Sequence, residues 1–125
     1  LRAYASELGL PTWTASQSNK EGSNSDIVDL SNMSEAYGKA MVADVVLGLS
    51  RKPQEKSLGT GRLYVAKNRA GRDGLVFPVK INTAQSTITI TGDAGTPEEA
   101  KAEDEGSMKR RLRDKLDELG SKVQG

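Results

Sequence analysis

RLYVAKNRAGRDGLVFPVKI, residues 62–81, places two apolar runs on either side of a basic segment that contains two glycines. The flanks, RLYVA and LVFPVKI, are rich in β-branched and aromatic residues, which predicts two strands. Lys67 and Arg69 lie two positions apart, so strand alternation puts both side chains on one face of the strand end. Gly71 and Gly74 permit a tight turn with Arg72 at its tip. A Lys and an Arg so paired can grip one phosphate group, the guanidinium through its forked donors and the ammonium as a point charge. The alternative is an ordinary basic hairpin on a solvated edge, where lysine discourages edge-to-edge pairing.

Working outward, a short turn leads to STITI (86–90), whose alternation places Ile88 and Ile90 on one side. Upstream, the loop RKPQEKSLGTG (51–61) separates RLYVA from DVVLGLS (44–50), a nearly continuous apolar run typical of a strand buried on both faces. MSEAYGKAMVA (33–43) reads as the preceding helix, capped by Ser31 or Ser34. At the N-terminus, RAYASEL (2–8) puts Ala3, Tyr4 and Leu8 on one helical face, and Gly9 follows where a left-handed cap is common. Pro11 then opens a short strand at Thr12–Ser16, completing the helix–turn–strand unit of an α/β sheet. The expected fold is therefore α/β, a mixed sheet with antiparallel final strands. Residues 18–32, SNKEGSNSDIVDLSN, are polar and aperiodic and predict a long loop.

After Asp93 the composition changes. Residues 94–125 carry eight acids and seven bases, and their large apolar residues are Met108, Leu112, Leu116, Leu119 and Val123, spaced as one helical stripe. TPEEA (96–100) resembles an N-terminal capping signal, and Gly106 is expected to divide the segment into a short helix or linker and an amphipathic helix that docks on something, the alternative being a solvated, partly ordered tail. The chain is thus read as a domain over 1–93 and a charged helical tail over 94–125.

The 125 residues include no cysteine and no histidine, which excludes a disulfide framework, thiolate metal sites and histidine-based catalysis. No apolar run approaches the roughly 20 residues of a membrane span, and Leu1-Arg2-Ala3 shows neither an initiator Met nor a signal pattern. A cytoplasmic protein without membrane partners, cut from a longer chain, is the expectation. The net charge of +1 conceals a basic segment: eight bases against two acids between Arg51 and Lys80 leave +6, a segment that wants an anion.

Two further features point toward phosphate. Gln17 stands where the strand of WTASQSNK (13–20) would end, the side on which open α/β sheets bind ligands. The 18–32 loop carries Lys20 and Asn24, yet also Glu21, Asp26 and Asp29, which argues against a simple electrostatic clamp. No GxxxxGK[ST] phosphate loop occurs anywhere.

Taken in order, LRAYASELGLPTWTASQSNK, the polar loop, MSEAYGKAMVADVVLGLSR and RLYVAKNRAGRDG resemble the C-terminal half of the RecA-like motor domain of DnaB-family replicative helicases, particularly phage-type ones. The resemblance covers residues 1–91. It implies that Gln17 is the sensor glutamine, that residues 18–32 face single-stranded DNA through Lys20 and Asn24, and that Lys67 and Arg69 reach into a neighbouring subunit's nucleotide site with Arg69 as the arginine finger. Arg51 and Arg72 would assist in nucleotide binding. It also implies a ring hexamer as homo-oligomer, ATP and Mg²⁺ held mainly by the half of the domain absent from this chain, and a primase or helicase loader as partner of the C-terminal tail. Two other readings are a RecA/KaiC-type recombination or regulatory ATPase fragment and a non-catalytic module that binds nucleic acid or protein.

Overall fold

The computed structural model describes residues 1–18, 27–33 and 37–123. In chain order these form helix α1 (Arg2–Leu8), a 3₁₀ turn at Leu30–Asn32, helix α2 (Tyr37–Val42), strand β1 (Val45–Ser50), a 3₁₀ turn at Pro53–Glu55, strands β2 (Thr60–Asn68), β3 (Val76–Asn82) and β4 (Thr87–Ile90), and helix α3 (Pro97–Val123). The strands make one sheet in the order β1-β2-β3-β4, antiparallel at every pairing. The chain is α/β in content, but the described sheet is antiparallel throughout rather than mixed.

The difference originates at Thr12–Ser16, which forms no strand. Trp13 is 84% exposed, and this irregular, exposed stretch pairs with no described strand. DVVLGLS is likewise buried on one face only. It lies at the sheet edge with strict alternation, Val46, Gly48 and Ser50 inward and Val45, Leu47 and Leu49 outward.

Register explains what positions the basic tip. Leu49 lies opposite Leu63 and Leu63 opposite Phe77, while Leu47 faces Val65. Across the next pairing, Val79 faces Ile90 and Ile81 faces Ile88, the alternation expected for STITI. Direct partners share a face, so these residues form one continuous apolar surface without a charged side chain. Its edges on β1 and β4 are 42–53% exposed. The opposite face carries Arg62, Tyr64, Lys67, Pro78 and Lys80, and it is there that the helices are anchored. The buried hydrophobic core is accordingly small: Ala40, Val46, Val76 and Val79.

A β-bulge sets the direction of Lys67. Val46 pairs with Lys67 but the adjacent Leu47 pairs with Val65, so Ala66 is the extra residue of β2. Without it Lys67 would join Leu63 and Val65 on the apolar face; with it Lys67 turns to the helix side. On that side Gly48 is required, because a Cβ there would stand 2.0 Å from the Val28 carbonyl oxygen of the segment crossing β1.

The other local expectations divide. Gly9 closes α1 with φ 62°, as anticipated. Ser31 does not cap α2, since its N–H donates to the Asp29 carboxylate at 2.8 Å in an Asx turn; Ser34 lies outside the described residues. Thr96 and Glu99 form a reciprocal capping box at α3, with the Thr96 N–H donating to Glu99 at 2.7 Å and Pro97 in the first turn. Gly106 does not break α3, which is one helix of 27 residues. A single interior glycine costs only about 1 kcal/mol relative to alanine, and the cap and acidic first turn favour continuation. The first turns of α3 also join the sheet: Val76 and Gly95 exchange both backbone hydrogen bonds, and Asp104 meets Lys52 and, at 3.9 Å, Arg62.

Candidate phosphate-contacting site

The last carbonyls of an α-helix have no intrahelical donors and collect negative partial charge. At the end of α2 two distant cations meet them. Lys67 Nζ donates to the carbonyls of Ala40 at 3.3 Å and Met41 at 2.9 Å, and the Arg2 guanidinium donates to that of Val42. Two residues further on, Asp44 takes Arg2 at 3.5 Å and Arg69 at 3.3 Å. The backbone reinforces the arrangement, since the Arg69 N–H donates to the Asp44 carbonyl at 2.9 Å and extends the β1–β2 ladder. Three cations against one carboxylate leave this cluster at +2.

Lys67 and Arg69 both reach the end of α2, the ammonium on helix carbonyls and the guanidinium on Asp44, but they differ in freedom. Lys67 is partly buried and committed to helix carbonyls. Arg69 is 66% exposed and held by one exposed carboxylate, on a backbone that is fixed. Beyond it the hairpin is ordered by Asn68, whose side chain accepts from the Ala70 N–H at 3.3 Å and donates to the Arg72 carbonyl at 3.3 Å. Of the two turn glycines only Gly74 has a left-handed backbone, φ 72°; Gly71 instead leaves space for the Asn68 amide. Arg72 is exposed in this turn.

The remaining residues are not gathered here. Arg51 lies past the far end of β1, seven residues from Asp44, roughly 23 Å away at about 3.3 Å per residue. Its guanidinium donates to the Lys56 carbonyl at 3.0 Å, and its Nε is buried without a partner. Gln17 is exposed in irregular chain, and no hydrogen bond links it to Lys67 or Arg69. Lys20 and Asn24 lie outside the described residues. The residues missed in the sequence are Arg2 and Asp44; partners 40 residues apart along the chain leave no local signal.

The +6 segment is answered in part by carboxylates of the same chain. Arg62 pairs with Glu55 at 3.0 Å, and Asp104 adds a second carboxylate between Arg62 and Lys52. These side chains are 10–28% exposed, so this is a clamp between sheet and α3 rather than a ligand site. A cavity of about 890 Å³ lies beside it, lined by Arg62, Val76, Pro78, Glu99 and Asp104 among others, and contains none of Gln17, Lys67, Arg69 and Arg72. At the basic tip Arg69 and Arg72 are exposed.

Among the described residues no group of three or more His, Cys, Asp or Glu could hold a metal ion. The residues at the tip fit contact with a phosphate oxyanion presented from outside, not a cradle for a whole nucleotide. No helix among the described residues is long and apolar enough to cross a membrane. No family model, curated protein or solved structure matches the chain.

Proposed function

We propose that the chain is the C-terminal part of the motor domain of a ring-forming, ATP-driven DNA helicase of the DnaB type, a RecA-like core moving on single-stranded DNA, with Arg69 delivered into the nucleotide site of the neighbouring subunit. The observation that carries the reading is the placement of Arg69: an exposed, weakly held guanidinium on a strand end whose backbone is locked. An arginine finger needs that combination, because it must leave its resting partner for a phosphoryl group while its Cα stays in place. The order of sequence pieces described above supports the same reading.

On this reading ATP and Mg²⁺ would be held mainly by the other half of the motor domain and would supply the reactive phosphate. Arg69 contributes forked donors to the charge that spreads over the transferred group, an effect worth on the order of 10³–10⁵ in rate. Lys67 fixes the strand end against α2 and adds positive potential beside it. Arg72, at the hairpin tip, contacts the nucleotide less directly. Gln17 senses the γ-phosphate, and the loop containing Lys20 and Asn24 faces DNA. A heterologous head-to-tail contact that closes gives the hexameric ring.

The test is Arg69→Ala in the full-length helicase. Turnover of ATP should fall by about 10³ or more while nucleotide binding persists, and doping wild-type rings with the variant should reduce turnover more than in proportion. Unchanged turnover would reject the reading. If turnover is absent throughout and the chain binds single-stranded DNA with a steep salt dependence lost in Lys67→Ala and Arg69→Ala, a non-catalytic backbone-binding module is the correct description.

A further inference from the structure

Helix α3 is divided by charge. From Pro97 to Ser107 it carries five acids and one base, net −4; from Met108 to Val123 it carries six bases and three acids, net +3. The acidic half is the half joined to the sheet, through Asp104. The basic half projects beyond that anchor with Met108, Leu112, Leu116 and Leu119 54–67% exposed and Val123 85% exposed.

At about 100° per residue these five side chains fall within an arc of roughly 80°. Lys109 and Arg113 border one side of the stripe, Lys115 and Lys122 the other, and Asp114 and Glu118 lie opposite. Lys122 is paired with Glu118 at 3.5 Å on its outer side. The stripe is narrow, and from Leu112 to Val123 its spacing of 4, 3 and 4 is that of alternating d and a positions, the seam of a coiled coil. A helix lying in a lipid interface presents a broader apolar face, commonly with aromatic residues. A second copy of residues 108–123 would set its own Lys109, Arg113, Lys115 and Lys122 against the same basic borders, its carboxylates lying away from the seam. The sheet's bare face offers no carboxylate.

We infer that residues 108–123 form a docking helix for a protein partner, and that its occupant is an amphipathic helix with an aliphatic seam bordered by Asp or Glu. Seam burial supplies the attraction, and the basic borders select the acidic partner and its register. This inference is independent of the motor reading, and neither nucleotide nor DNA enters its test.

The experiment titrates the full chain with a three-heptad synthetic peptide bearing Ile and Leu in its seam and Glu at both borders. Binding is expected, weakened about tenfold or more when NaCl rises from 50 to 500 mM. It should be lost in Leu112→Asp/Leu119→Asp and weakened at least tenfold in Arg113→Glu/Lys115→Glu; both variants alter exposed positions, and circular dichroism should report unchanged helix content. The same chain should not bind vesicles of phosphatidylserine and phosphatidylcholine, and sedimentation should reveal no self-association that depends on Leu112. No binding of the acidic peptide, binding indifferent to the Arg113→Glu/Lys115→Glu change, stripe-dependent vesicle binding, or stripe-dependent self-association would each overturn the inference.

Discussion

The Arg69 guanidinium stands 3.3 Å from the Asp44 carboxylate, and the two side chains are 66% and 69% exposed. An ion pair that open to solvent contributes between nothing and about 1 kcal/mol. It is a resting position rather than a structural tie, and Asp44 shares itself with Arg2 as well.

Replacing the resting partner therefore has a small thermodynamic effect. Asp44→Asn should change unfolding free energy by less than about 1 kcal/mol, read from urea midpoints. On the motor reading proposed above, it should leave the ATP turnover of the full-length protein within a few-fold of wild type, in contrast to Arg69→Ala.

Lys67 behaves oppositely. Its ammonium satisfies two helix-end carbonyls from a partly buried position, so Lys67→Met should destabilise the chain by about 1–3 kcal/mol. Chemical denaturation and hydrogen exchange at α2 measure this, with exchange at the N–H of Ala43 rising first.

Arg62 tests the clamp. Arg62→Ala leaves Glu55 without its guanidinium in a largely buried place, while Asp104 keeps Lys52, and the loss of one partner of a buried pair costs about 3–5 kcal/mol. A methionine at the same position together with Glu55→Gln should recover much of the deficit, because the buried charge goes with its partner. Thermal unfolding of the single and double variants decides it.

Gly48 and Leu49 make a neighbouring contrast on β1. Gly48→Ala must displace the Val28 backbone and should cost about 1–3 kcal/mol or more, whereas Leu49→Thr, on the 44% exposed outer side, should stay within about 1 kcal/mol. Urea midpoints of the two variants should differ clearly.

Much of the local architecture was legible in the sequence. The hairpin of residues 62–81, the Ile88 and Ile90 alternation, the Gly9 cap and the Thr96–Glu99 box are each set by interactions within a few residues, which a linear reading can weigh. What could not be read was set at long range. The strand expected at Thr12–Ser16 depended on that segment pairing with a sheet edge, which it does not do, and the burial of DVVLGLS depended on whether its outer side was roofed. The bulge at Ala66 changes the direction of Lys67 by one residue of register, which no composition signal marks. In the candidate site, Lys67 and Arg69 were visible as a spaced pair. Their partners Arg2 and Asp44, and the withdrawal of Arg62 and Lys52 into an internal clamp, emerge only in three dimensions.

The uncharged wall formed by Leu47, Leu49, Leu63, Phe77, Ile81 and Ile88 has a calorimetric corollary. A molecule that covered it would displace ordered solvent, so that association would carry a negative heat-capacity change. Its enthalpy would accordingly become more favourable with warming, a thermal fingerprint that separates contacts made through this wall from those made through the cationic tip.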